Sequence, residues 1–136
     1  MLWRSILYFL VLLGFSSCIE LPPDLQEFVD DLHKICVSKS GITESDHAAY
    51  DVKSNPHDSK LQCYMKCLMM EAKWMNSAGV IQYDFIIDTA HPAIKDPLEA
   101  AMNKCREIDD GANLCEKASN FNFCMYGADP ENWFLI

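Results

Sequence analysis

The stretch CYMKCLMMEAKWM, residues 63–75, decides how the chain is read. Two cysteines stand four apart inside an apolar run. Leu61, Tyr64, Met65, Leu68, Ala72 and Met75 recur at helical spacing, so residues 58–75 read as one helix. Cys63 and Cys67 then lie one turn apart on one face. A redox pair needs two intervening residues rather than three. A zinc site needs two further ligands at matching spacing, and neither His57 nor His91 has a close partner. A bridge within one helical turn would strain the backbone. Each cysteine therefore reads as one end of a separate cross-link, and the helix as stapled to two neighbours.

The flanking sequence is helical in the same way. Leu25, Phe28, Val29, Leu32 and Ile35 carry helical spacing from Pro22-Pro23-Asp24 to about Ser40, where Gly41 stops it. Thr43 and Asp46 form a capping-box start for a short second helix. Ser54-Asn55-Pro56 breaks the chain before the helix at 58–75. Residues 83–90 read as a short fourth helix. Asp96 reads as the cap of a fifth, with Pro97 in its first turn, running to about Asp109. Residues 114–126 give the sixth, and Asp129-Pro130 begins a tail. No alternating strand pattern, repeat or low-complexity tract interrupts this layout. The fold class is all-α, in one domain.

Residues 1–18, MLWRSILYFLVLLGFSSC, have the layout of a secretory signal peptide: an arginine, an apolar block from Ile6 to Leu13, then small residues. The apolar block is shorter than the roughly 20 residues a bilayer span requires. Cleavage after Cys18 leaves residues 19–136; cleavage after Ser16 is the alternative. Arg4 departs with the leader, so the eleven basic residues become ten against 20 acidic, a net charge near −10. Such a surface repels nucleic acid and anionic lipid. Removing Cys18 turns seven cysteines into six, an even number that in a small secreted domain reads as a disulfide framework. Six cysteines allow 15 pairings, and spacing alone does not choose among them.

The full spacing is C-x26-C-x3-C-x37-C-x9-C-x8-C. With KLQCYMKCL, NLCEKA and the closing ADPENWFLI, it resembles the insect odorant-binding proteins, including the pheromone-binding ones, over essentially all of residues 19–136. The resemblance implies the pairs Cys36–Cys67, Cys63–Cys115 and Cys105–Cys124. It also implies six or seven short helices around an apolar cavity, with no cofactor. The implied role is an extracellular carrier of small hydrophobic molecules, odorants or pheromones, delivered to an olfactory receptor or a membrane surface. The setting would be sensillum lymph or another secretion, and relatives occur both as monomers and as homodimers.

Against that background the methionine-rich, apolar sequence is expected to supply a ligand pocket, since methionine adapts its shape to varied apolar surfaces. Its expected wall is Leu68, Met75, Phe85, Ile86, Ile87, Met102, Phe121 and Met125. The apolar end of the chain would be costly to expose, so Trp133, Phe134 and Leu135 are expected to dock and close the pocket. Docking buries the end of the chain at Ile136, which then needs a polar partner. His33 and Tyr64 each lie one turn before a cysteine, Cys36 and Cys67. If those cysteines are bonded, both residues flank the same bridge. They are expected to hold the Ile136 carboxylate in a latch that loosens in acid.

Two other classes compete. A secreted lipid hydrolase would need a nucleophile, a base and oxyanion donors, or a calcium loop. His57-Asp58 is the nearest pair, and no G-x-S-x-G is present. A hormone-like or inhibitory helical protein would act through its surface, yet the acidic exterior shows no clear apolar patch for it.

Overall fold

The computed structural model describes residues 20–136; the expected leader, 1–18, lies outside them. Six helices follow in order: α1 (Pro23–Ser40), α2 (Glu44–Ala49), α3 (Ser59–Glu71), α4 (Tyr83–Thr89), α5 (Lys95–Lys104) and α6 (Leu114–Ala128). Among the described residues there is no strand, only an isolated antiparallel bridge between Met75 and Ile81. No helix among them is long and apolar enough to cross a membrane.

Most helix ends follow local chemistry. Pro23 opens α1, and Gly41, at φ 77°, closes it by returning its N–H to the Val37 carbonyl. The Thr43–Asp46 capping box is fully formed at α2. Several ends differ from the sequence reading, α6 by running on to Ala128 rather than stopping at 126. α3 stops at Glu71 rather than Met75 because Lys73 turns left-handed, at φ 64°, and the N–H groups of Trp74 and Met75 fold back onto the Met69 carbonyl. α5 begins at Lys95, so Asp96 lies inside its first turn and is not its cap. It ends at Lys104 rather than Asp109, because Cys105 leaves the helix to bond Cys124.

α3 is the central element, packed on α6 and α1. The three disulfides are Cys36–Cys67, Cys63–Cys115 and Cys105–Cys124, so α3 is stapled once to α1 and once to α6. Between them lies one buried cluster that includes Leu61, Tyr64, Met65, Met102 and Phe121. The 76–80 turn is pressed on α6 so closely that a Cβ at Gly79 would stand 2.3 Å from Leu114 Cδ2. A side chain there would require Leu114 to swing aside, and the φ of 80° favours glycine in its own right.

Candidate functional site

The tail after α6 turns back toward α1. Asp129 starts the turn. Its side chain accepts from the Asn132 amide group at 2.8 Å, and its carbonyl accepts from the Trp133 N–H at 3.0 Å. The Trp133 ring meets Tyr126 edge-on at 5.6 Å. Trp133, Leu135 and Ile136 are half-buried against the core, while Phe134 keeps 39% of its surface exposed.

A cluster of polar groups from three helices receives the tail. Tyr64 of α3, fully buried, donates its hydroxyl to the main-chain oxygen of Ile136. His47 Nε2 of α2 donates to the same oxygen at 2.9 Å. His33 of α1 stands behind Tyr64, with Nδ1 2.7 Å from its hydroxyl oxygen and Nε2 2.9 Å from the Glu44 carboxylate. The two imidazole rings meet edge-on, 4.5 Å apart. Burial, helped by the charge on Glu44, pushes the Tyr64 hydroxyl well above the ordinary tyrosine range, so it stays a proton donor.

Beside this cluster a cleft of about 600 Å³ runs between α1 and the tail. Leu21, Val29, Trp133, Phe134 and Leu135 give it apolar walls; Gln26, Asp30, His33, His47 and Glu131 are its polar groups. A second cleft, about 350 Å³, lies near Tyr83. Its cations are already engaged: Arg106 pairs with Asp84 and sits over the Tyr83 ring, and Lys117 pairs with Asp110.

The structure distributes the expected site residues among three places. Leu68, Met75, Ile86, Ile87, Met102, Phe121 and Met125 come together in the buried cluster. Phe85 points outward, 44% exposed. On a helix three consecutive residues cannot share one face, and Ile86 and Ile87 take the inner one. Trp133, Phe134 and Leu135 border the larger cleft, a different place from the core group. Of the residues expected at Ile136, Tyr64 bonds it directly and His33 acts through Tyr64; the second direct donor is His47. His47 was not among the residues expected at Ile136. Its sequence neighbours carry only part of the signal. The capping box fixes the phase of α2, and Glu44 and His47 stand three apart on one face of it, toward His33.

His57 and Asp58 do not act together. His57 Nδ1 meets the buried Ser119 hydroxyl at 2.8 Å, while Asp58 caps α3 through the Lys60 N–H. Among the described residues no group of three or more His, Cys, Asp or Glu side chains could hold a metal.

Known proteins of similar sequence and fold bear on this arrangement. The model of the PBP/GOBP family matches residues 19–128. Odorant-binding protein 10 of Aedes aegypti is 29% identical over 117 residues, which cover 82% of this chain and 71% of that protein. Odorant binding protein 5 of Apis mellifera superposes with a TM-score of 0.72 at 23% identity, over 87% of this chain and all of that one. Odorant Binding Protein 7 of Anopheles gambiae, solved with four disulfides and an azo compound, gives 0.70 at 24% identity, over 82% and 91%. A fatty acid binding protein from the oral disk of the blowfly Phormia regina gives 0.62 at 20% identity, over 83% and 98%. With six helices, three disulfides in the implied pairing and a family match over most of its length, the chain belongs to the PBP/GOBP family of odorant-binding proteins.

Proposed function

We propose that this protein is a secreted carrier for small hydrophobic molecules, odorants or pheromones, and that its tail is the closing element of the ligand site. The observation that carries the reading is the docked tail itself: an apolar segment folded back to form one wall of a 600 Å³ cleft and held by its last residue. That volume lies within the range of ordinary ligand pockets. Relatives of the same fold were solved with an azo compound or are described as binding fatty acid. The buried cluster around Met102 and Phe121 is the second part of the proposed site, reached when the tail moves. Affinity would come from area burial, about 25 cal/mol per Å².

The tail suits a door better than a structural strut. Each hydrogen bond to the terminal carboxylate at Ile136 contributes only about 1.5–3 kcal/mol. Its apolar side chains are half-buried, and ordering each residue costs about 1–2 kcal/mol of backbone entropy. Opening is therefore within thermal reach. In acid, protonation of the carboxylate at Ile136 would weaken the docking and release the ligand at a membrane or receptor.

The test is displacement of N-phenylnaphthylamine fluorescence by fatty and aromatic ligands at pH 7 and pH 5, on protein with its three disulfides intact. Saturable binding that weakens at pH 5 supports carrier and latch together. Absence of binding at both values would overturn the carrier reading. Phe28 and Ile35, seven apart on α1 and 49% and 41% exposed, favour a second reading, a protein-facing surface that also serves a homodimer or receptor.

A further inference from the structure

The cleft between α1 and the tail carries an unequal set of polar groups. Two carboxylates, Asp30 of α1 and Glu131 of the tail, border it, and no Lys or Arg stands among the described residues that line it. The hydrogen-bonding groups of its histidines are engaged inside the protein. Both ring nitrogens of His33 face Tyr64 and Glu44, and His47 Nε2 donates to Ile136. Gln26 donates an amide N–H to Asp30 Oδ1 at 2.9 Å, which steadies that carboxylate one turn along α1. A carboxylate has about four acceptor sites, so Asp30 keeps capacity for a further donor.

The apolar wall is of a matching kind. Trp133 and Phe134 border the same cleft, and the Trp133 ring is positioned by its edge-on contact with Tyr126 at 5.6 Å. An aromatic face attracts a cation, indole most strongly. Carboxylates and aromatic rings around one cleft are the groups that recognise an organic cation. An anionic head would meet two like charges and no cationic side chain. The rim is also wet, since Asp30 and Glu131 are exposed. An ammonium held there would keep part of its hydration and escape most of the cost of burying a charge.

We propose that this cleft selects hydrophobic amines over fatty acids of the same length. The hydrocarbon would lie along Leu21, Val29 and Leu135, with the ammonium at Asp30 and Glu131 beside Trp133. An alkyl ammonium, like the lysine side chain, stays charged at neutral pH. The assignment rests on the reading that the cleft beside the tail is the ligand site, and it names the class of ligand taken there. An acidic protein draws cations to all of its surface. The two local carboxylates are separated from that general attraction by substitution.

The test is calorimetric titration at pH 7, with the three disulfides intact, of decylamine, decanol and decanoate, each below its micelle concentration. One exposed charge pair changes affinity by up to about fivefold. Decylamine should bind several-fold more tightly than decanol, and decanoate several-fold more weakly, so that amine exceeds acid by about tenfold or more. Added salt should shrink this preference. Asp30→Asn combined with Glu131→Gln should remove most of it and leave decanol binding unchanged. Glu107→Gln, at the second cleft, should leave it intact. Equal affinities, a preference for decanoate, a preference that survives the double substitution, or one that Glu107→Gln removes would overturn the proposal while the carrier reading stands. Failure of all three compounds to bind would overturn both.

Discussion

α3 with α6 and the tail that follows α6 are joined covalently, yet they are held by different physics. α3 and α6 bury Met65, Leu68, Phe121 and Met125 between them and are bridged by Cys63–Cys115. The tail from 129 to 136 rests on half-buried side chains and two hydrogen bonds at one oxygen. A stapled, close-packed centre opens only with the whole fold, whereas a lightly held end can open alone. A carrier needs both properties, a container that persists and a closure that yields.

The comparison can be broken most forcefully from the centre. Phe121→Ala, in the α3–α6 seam, should lower stability by about 3–5 kcal/mol in denaturant unfolding, through lost burial and the cavity left behind. Replacing Cys63 and Cys115 together by alanine should cost about 2–4 kcal/mol, because the bond closes a loop of 52 residues in the unfolded chain. Thermal melting in both cases should remain one transition, since the centre is a single unit. A separate low-temperature transition in either would mean that the centre is not one cooperative body.

Smaller changes sharpen the other side. Thr43→Ala removes the cap of α2, the helix that carries Glu44 and His47, and should cost about 1 kcal/mol. It should also raise hydrogen exchange in the tail, 86 or more residues away in sequence, because His47 loses its fixed position. Tyr64→Phe should leave the melting temperature within a few degrees of the parent while tail protection falls several-fold. The smallest effect concerns acid. Bonding from the Thr43 N–H and hydroxyl holds the Asp46 carboxyl below its ordinary 3.8. A depressed carboxyl contributes stability that is present above 3.8 and lost as pH falls through the lowered value. The α2 cap is thus intact at pH 5, and circular dichroism should not change between pH 7 and 5. A helical loss in that interval would move the acid response from the latch to α2.

The same two regions differ in how far sequence reveals them. Helical spacing and turn residues mark all six helices, because burial of a stripe and the cost of Gly and Pro act locally. The pairing of cysteines was legible only through family spacing, since closure of long loops leaves no local trace. Ends were misread where a tertiary demand intervened, as at Cys105, which must turn out of α5 to meet Cys124. The tail residues were legible as apolar atoms in need of cover. Their partners were partly legible: Tyr64 and His33 flank a bridge, but His47 reaches Ile136 across 89 positions, and only the placement of α2 reveals it. Phe85 was assigned inward from composition, though the helical angle between neighbours sends it out once Ile86 and Ile87 are inside.

In a carrier of this build the tail governs passage of ligand while the centre stays shut. The direct measurement is the dissociation rate of bound N-phenylnaphthylamine at pH 7, by stopped-flow mixing with excess competitor, for the parent protein and Tyr64→Phe. A rate that rises several-fold in the variant, with an unchanged melting temperature, is the predicted result. Equal rates, in a variant whose tail exchange shows it undocked, would contradict the account and leave the tail a cover over a groove that ligand never uses.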